Sequence, residues 1–169
     1  MRAKNGIRKT AGNPYLQARA ASLNLFSGIE HRMQKIRNWS DIEFINDSKS
    51  TDIESTFFSL ELIQTPITWI VGATELETDY NHVAKFVKYK VVNLIVFGSF
   101  SDAAIKNEFS WLVDCYKKEN SLEDAFDSAV SLSKKGYTIL FSPACSSFDK
   151  YEDYTERGEH FSKLTNDLK

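Results

Sequence analysis

From Ile42 onward the chain alternates, several times over, between short extended apolar runs and stretches with helical spacing. That alternation restricts the fold more than any other feature of the sequence. Ile42–Asn46, Ile67–Val71, Val91–Phe97, Trp111–Tyr116 and Tyr137–Phe141 read as strands. Between them, Ile53/Phe57/Leu60/Ile63, Val83/Phe86/Val87, Asp102–Phe109 and Leu122/Ala125/Phe126/Ala129/Leu132 fall on single helical faces, and Thr155–Leu168 reads as a terminal helix. Strand–helix alternation of this kind predicts an α/β fold: a Rossmann-like, mostly parallel sheet, right-handed crossovers, and helices on both faces. Upstream, His31–Asn38 and Ile42–Asn46 are separated by a short Trp-Ser-Asp link, which predicts an N-terminal antiparallel hairpin leading into the sheet.

In open sheets of this type ligands bind beyond the carboxyl ends of the strands. The loops expected there are Asp47–Thr51, Gly72–Asp79, Gly98–Ser101 and Ser142–Asp149. They are rich in small and hydroxyl-bearing residues, a composition that leaves backbone N–H groups open to a polar or anionic ligand. Thr51-Asp52-Ile53-Glu54 matches a capping box with Thr51 as the cap, and Ser121 begins a second capped helix. Cys145 reads either as a nucleophile or as a small residue packed under the sheet edge, with no His fixed near it by sequence. Ser146 and Ser147 lack a Gly-x-Ser-x-Gly setting. Phe148, Tyr151 and Tyr154 cluster before the last helix, and Arg157 is open to a structural or a binding role.

Other function classes recede. Neither Gly-x-x-x-x-Gly-Lys-Ser/Thr nor Gly-x-Gly-x-x-Gly occurs, so the chain has no phosphate cradle of its own. The longest apolar run, Val91–Phe97, is far below the roughly 18–20 residues a membrane helix needs. A net charge of −2 gives no general reason to expect nucleic-acid binding. Two Cys and no secretory pattern predict a cytoplasmic protein with reduced thiols, and the three His, far apart in sequence, offer no metal-ligand spacing. Arg2, Lys4, Arg8, Lys9 and Arg19 face no acid before Glu30, so residues 1–25 read as a basic leader or the end of a preceding domain, and 26–169 as the domain proper.

Four motifs carry a resemblance. Phe26-Ser27-Gly28-Ile29-Glu30-His31-Arg32, Ile45-Asn46-Asp47-Ser48-Lys49-Ser50-Thr51, Ser142-Pro143-Ala144-Cys145-Ser146-Ser147-Phe148-Asp149 and Tyr154-x-x-Arg157-Gly158-x-x-Phe161 occur in the order and spacing of one domain. Together they resemble the C-terminal domain of the Mur ligases that add D-glutamate to UDP-N-acetylmuramoyl-L-alanine. The resemblance implies a role in peptidoglycan synthesis, and through it in cell-wall biogenesis, cell shape and division. It implies ATP and Mg²⁺ in the full enzyme, neither held tightly by this chain alone, and a central ATPase domain, in cis or in trans, as partner. By position, Arg32 and Asp47 resemble residues that hold the ATP ribose and phosphates. Lys49, Thr51, Ser147, Phe148 and Tyr154 resemble residues around D-glutamate. One loop departs from the family pattern Gly-Gly-x-x-Lys: it reads Gly72-Ala73-Thr74-Glu75-Leu76, with Leu76 in place of the Lys and Glu75, Glu77 and Asp79 around it. That departure keeps a second reading open, a stand-alone or degenerate module for a nucleotide or small anion. Docking on a partner's central domain and hydrolysis through Cys145 are weaker alternatives.

Overall fold

The computed structural model describes residues 28–147 and 150–169. The expected leader and Phe148 therefore lie outside the described residues. Six strands form one sheet: β1 (Gln34–Trp39), β2 (Ile42–Asn46), β3 (Ile67–Gly72), β4 (Val91–Phe97), β5 (Cys115–Glu119) and β6 (Thr138–Phe141). Five helices connect or follow them: α1 (Ile53–Leu62), α2 (Asn81–Lys90), α3 (Ala103–Phe109), α4 (Leu122–Leu132) and α5 (Tyr154–Asn166). The order across the sheet is β1-β2-β6-β3-β4-β5, with only the β1/β2 pair antiparallel. The hairpin turns on Ser40 and Asp41, whose φ values of 53° and 63° match the right-handed twist of the flanking strands.

Alternation along the strands builds the two layers. Trp69 and Val71, Leu94 and Val96, and Leu140 face one side and pack with Ile53 and Leu60 of α1, Val83 and Val87 of α2, and Ile105 and Phe109 of α3. Ile70, Ile95, Phe97, Ile139 and Phe141 face the other side and pack with Phe126 and Ala129 of α4 and Phe161 of α5. Because both faces are covered, β3 is buried at every position, as a central parallel strand requires.

Two local expectations are corrected. The fifth strand is Cys115–Glu119, not Trp111–Tyr116. The apolar Trp-Leu-Val segment is the turn after α3: the Leu112 amide bonds the Phe109 carbonyl, and Trp111 is exposed. The true strand lies at the sheet edge, where Lys117, Lys118 and Glu119 mask its β character. The cap of α1 is Asp52, not Thr51. Its carboxylate accepts from the Ser55 amide at 2.7 Å, and a charged cap complements the helix N-terminus better than a hydroxyl one position earlier. Ser121 caps α4 as expected. Among the described residues no helix is long and apolar enough to cross a membrane.

Candidate functional site

The chain visits β6 last among the strands and inserts it between β2 and β3, so the loops after β2, β6 and β3 leave the sheet side by side at its carboxyl edge. Backbone bonds stitch them together. The Asp47 amide donates to the Phe141 carbonyl at 2.8 Å, Ala144 to Ser50 at 3.0 Å, and Gly72 to Pro143 at 2.8 Å. Asp47, Thr51 and Ser147 therefore share one rim.

Asp47 sits at the centre of that rim and is completely buried. Its Oδ2 accepts from three hydroxyls, Ser59 at 2.5 Å, Ser50 at 2.6 Å and Ser142 at 2.8 Å, while Oδ1 accepts from the Met33 amide at 3.1 Å. Burial pushes its carboxyl above the ordinary value, and these donors oppose the rise. Arg32 donates through Nη1 to the Ser50 hydroxyl at 3.1 Å. Asp47 thus lies behind Arg32, one hydroxyl away from it.

A second group forms on the neighbouring turn. Lys49 donates to the Tyr154 hydroxyl at 2.7 Å, with its Nζ 4.2 Å from the centre of that ring. Thr51, relieved of capping, is exposed. It lines a pocket of about 220 Å³ together with Asp52, Glu54, Leu76, Glu77, Asp79 and Cys145. Leu76 is 71% exposed there. Ser147 is buried, and its carbonyl accepts from the Lys150 and Tyr151 amides. Of the seven site residues expected from sequence, five fall into three groups: Asp47 behind Arg32, the Lys49–Tyr154 pair, and Thr51 on the pocket wall. Ser147 is held inside the rim, and Phe148 lies outside the described residues.

Arg157 resolves toward structure. It is 1% exposed, and its guanidinium clamps two loops. Nε donates to the Ser48 hydroxyl at 3.1 Å and Nη2 to the Ser48 carbonyl at 2.9 Å, while Nη1 donates to the carbonyls of Cys145 at 3.0 Å and Ser146 at 3.1 Å. The adjacent Gly158 packs on His31, where a Cβ would lie 2.4 Å from Nδ1. Asn46 holds the same corner: its amide nitrogen contacts His31 Nδ1 at 3.0 Å and donates to the Gly158 carbonyl at 2.8 Å. Cys145 packs over Gly72, its Sγ standing 2.2 Å from where a Cβ on that glycine would be, which fits the small packed residue rather than the nucleophile.

Sequence reasoning missed that the rim hydroxyls are largely spent on the protein itself. Ser48, Ser50, Ser59 and Ser142 serve Arg157 and Asp47. The one available signal was the density of Ser around Asp47 in the second motif and again in the third, with Arg157 following in the fourth.

No family model matches the chain. It is 38% identical over 153 residues to the UDP-N-acetylmuramoylalanine–D-glutamate ligase of Chlorobium phaeobacteroides, an alignment covering 90% of this chain and 32% of that protein. To the ligase of the same name from Christiangramia forsetii it is 33% identical over 170 aligned positions, covering 98% of this chain and 38% of that protein. The chain thus spans about a third of the length of these curated relatives. Among solved structures, the UDP-N-acetylmuramate–alanine ligase MurC of Thermotoga maritima superimposes with a TM-score of 0.54 at 16% identity, over 88% of this chain and 33% of that one, a likeness of fold. Along nearly its whole length the chain is a homologue of the D-glutamate-adding ligases, and it belongs to the Mur ligase family as a counterpart of their C-terminal domain.

Proposed function

We propose that this chain is the closing domain of a D-glutamate-adding Mur ligase, holding the ATP ribose and phosphates and the incoming D-glutamate against a separate ATPase domain. In that reaction the γ-phosphoryl group passes to the carboxylate of UDP-N-acetylmuramoyl-L-alanine, giving an acyl phosphate and ADP. The amine of D-glutamate then attacks the acyl carbon, an amide bond forms, and phosphate and a proton leave. Arg32 is the cation for the nucleotide phosphates, and Asp47 is the charge behind it. Lys49, Thr51, Ser147, Phe148 and Tyr154 surround the amino acid, with the Lys49 ammonium steered by the Tyr154 ring and hydroxyl. One observation supports the reading: Arg32, joined to Ser50, and Lys49 and Thr51 of the same loop gather at the rim where the β2 and β6 loops are tied together.

The chain supplies placement rather than bond-making. Among the described residues no three His, Cys, Asp or Glu side chains converge to hold a metal, so the Mg²⁺ implied by the family would take its protein ligands from elsewhere in the enzyme. The test is a graft of this chain onto the first two domains of the Chlorobium phaeobacteroides ligase, with folding checked by gel filtration. ADP release dependent on both D-glutamate and the UDP-sugar is expected from the graft, and none from the 169-residue chain alone. A folded graft without turnover, or turnover by the chain alone, refutes the proposal.

A second reading, a nucleotide or small-anion module whose amino-acid site has decayed, is favoured by one observation. The pocket beside Thr51 carries Asp52, Glu54, Glu77 and Asp79, with Leu76 at its mouth. Calorimetry of the purified chain separates the two: ADP binding without any D-glutamate response, in the graft as well, supports the module.

A further inference from the structure

Ser50 is fully buried, and its backbone is pinned at both ends: its amide donates to the Asp47 carbonyl at 2.9 Å, and its carbonyl accepts from Ala144 at 3.0 Å. Its hydroxyl has one proton and donates it to Asp47 Oδ2 at 2.6 Å. Towards Arg32 Nη1, 3.1 Å away, the same oxygen therefore acts only as an acceptor. The polarity of the chain is fixed: guanidinium to hydroxyl to carboxylate. Asp47 has no exposed surface of its own. Its other described bonds come from Ser59, Ser142 and the Met33 amide, all uncharged. Hydrogen bonds in such a chain polarise one another in a low-dielectric interior, so Ser50 becomes a stronger acceptor because Asp47 lies behind it.

We propose that Ser50 is a positioning residue, whose hydroxyl relays the charge of the buried Asp47 to Arg32 and so fixes the guanidinium in the orientation that receives a nucleotide phosphate. The proposal rests on the reading above that Arg32 meets the nucleotide. It explains how a carboxylate without solvent contact influences a ligand at the rim: it does so through a guanidinium held one hydroxyl away. It also sets a requirement that packing alone would not, since residue 50 needs an oxygen that both donates and accepts.

Side-chain NMR of the 169-residue chain with labelled arginine reads the orientation directly, and an ADP titration to millimolar concentration reads its consequence. In Ser50→Ala, rotation of the Arg32 guanidinium about its Cζ–Nε bond is expected to speed up about tenfold, and the ADP dissociation constant to rise about tenfold. Ser50→Thr is expected to restore both to within about threefold, because it keeps the donor and acceptor. Arg32→Ala should weaken ADP binding by a similar factor, and the double variant no further than Arg32→Ala alone. Unchanged Arg32 rotation in Ser50→Ala overturns the relay. Faster rotation with unchanged ADP affinity in both Ser50→Ala and Arg32→Ala overturns the nucleotide reading, as does a wild-type chain with no response to ADP. If Ser50→Ala does not fold, Ser50→Cys decides by the same two readouts: its weak donor should give an intermediate loss, and wild-type rotation and affinity in that variant overturn the proposal.

Discussion

Replacing Arg157 should loosen the whole rim, and the size of the effect can be worked from its contacts. Its guanidinium makes four hydrogen bonds to oxygen at 2.9–3.1 Å, two to Ser48 and one each to the carbonyls of Cys145 and Ser146. A bond from a charged donor contributes about 1.5–3 kcal/mol. Against that stands the desolvation of a cation that is 1% exposed, a cost of several kcal/mol that Arg157→Met removes. The lost bonds outweigh the relieved desolvation, because the variant leaves the Ser48 and Cys145 carbonyls buried without their donor at about 1–3 kcal/mol each. The expected net loss for Arg157→Met is about 3 kcal/mol. In a chain of this length that corresponds to a fall in Tm of about 6–12 °C. Arg157→Lys keeps the charge but cannot span both loops with one ammonium, so it should recover less than half of the loss. Urea denaturation of the three proteins gives the values, and amide exchange at Ser48 and Cys145 locates the loosening. A loss under about 1 kcal/mol for Arg157→Met, or full recovery with Lys, would refute the clamp.

Gly158→Ala sets a helix-propensity gain of about 1 kcal/mol against a methyl 2.4 Å from Nδ1 and 2.5 Å from Cγ of the buried His31 ring. A net loss of about 1–2 kcal/mol is expected by urea denaturation, and a stabilised variant would contradict the packing. Asp47 gives a pH test. Its folded carboxyl titrates above the ordinary 3.8, so the folded state binds the proton more tightly than the unfolded chain. Its contribution is therefore most favourable below pH 3.8 and declines as pH rises through the folded value. Wild type should lose stability relative to Asp47→Asn between pH 4 and pH 8, and a constant difference across that range would show that the four donors cancel the burial cost. Leu76→Lys should improve D-glutamate affinity about tenfold, the low end for a charge-assisted contact because the position is 71% exposed. No change in a calorimetric titration would remove that loop from the site.

What the sequence revealed, and what it hid, follows the range of the interactions involved. Helix faces such as Leu122/Ala125/Phe126/Ala129 and the run Val91–Phe97 announce themselves through local period, and both form as read. At Trp111–Tyr116 apolar content does not mean extension: the strand starts at Cys115, and the apolar segment before it is a turn. Leu112 and Val113 do pack against the core, but from a turn. Thr51 and Asp52 are both good caps, and the choice between them rests on backbone angles that composition does not carry. The insertion of β6 between β2 and β3 leaves no local trace at all. The same holds for the partners of Asp47, which come from positions 33, 50, 59 and 142 and meet only once the sheet has formed. The motifs indicated that a polar rim exists, but the division of its hydroxyls between ligand and protein had to come from three-dimensional contacts.

That division bears on how such a domain can change its substrate. At the end proposed to meet the nucleotide, the groups proposed to face the ligand and those that hold the fold are one network: altering residue 47, 50 or 142 disturbs Arg32 and the loop junction together. The loop after β3 is built differently. It is anchored at Gly72 to Pro143, at Ala73 to Phe97 and by a side-chain hydrogen bond between Thr78 and Tyr80, while the described bonds of Thr74 and Leu76 stay within the loop itself. A substitution at Leu76 therefore alters the charge presented to a ligand while leaving the clamp of Arg157 and the cage of Asp47 intact. Exposed side chains of this kind change stability by less than about 0.5 kcal/mol, so the loop proposed to meet the amino acid is free to drift where the Asp47 network is not. The departure from the family pattern falls where this reasoning allows it. It follows that Leu76→Lys and its neighbours should shift amino-acid preference with Tm unchanged. Variants at Ser50 or Ser142 that weaken ADP binding should also lower Tm, and a ligand-affinity variant at Ser142 with wild-type stability would break the argument.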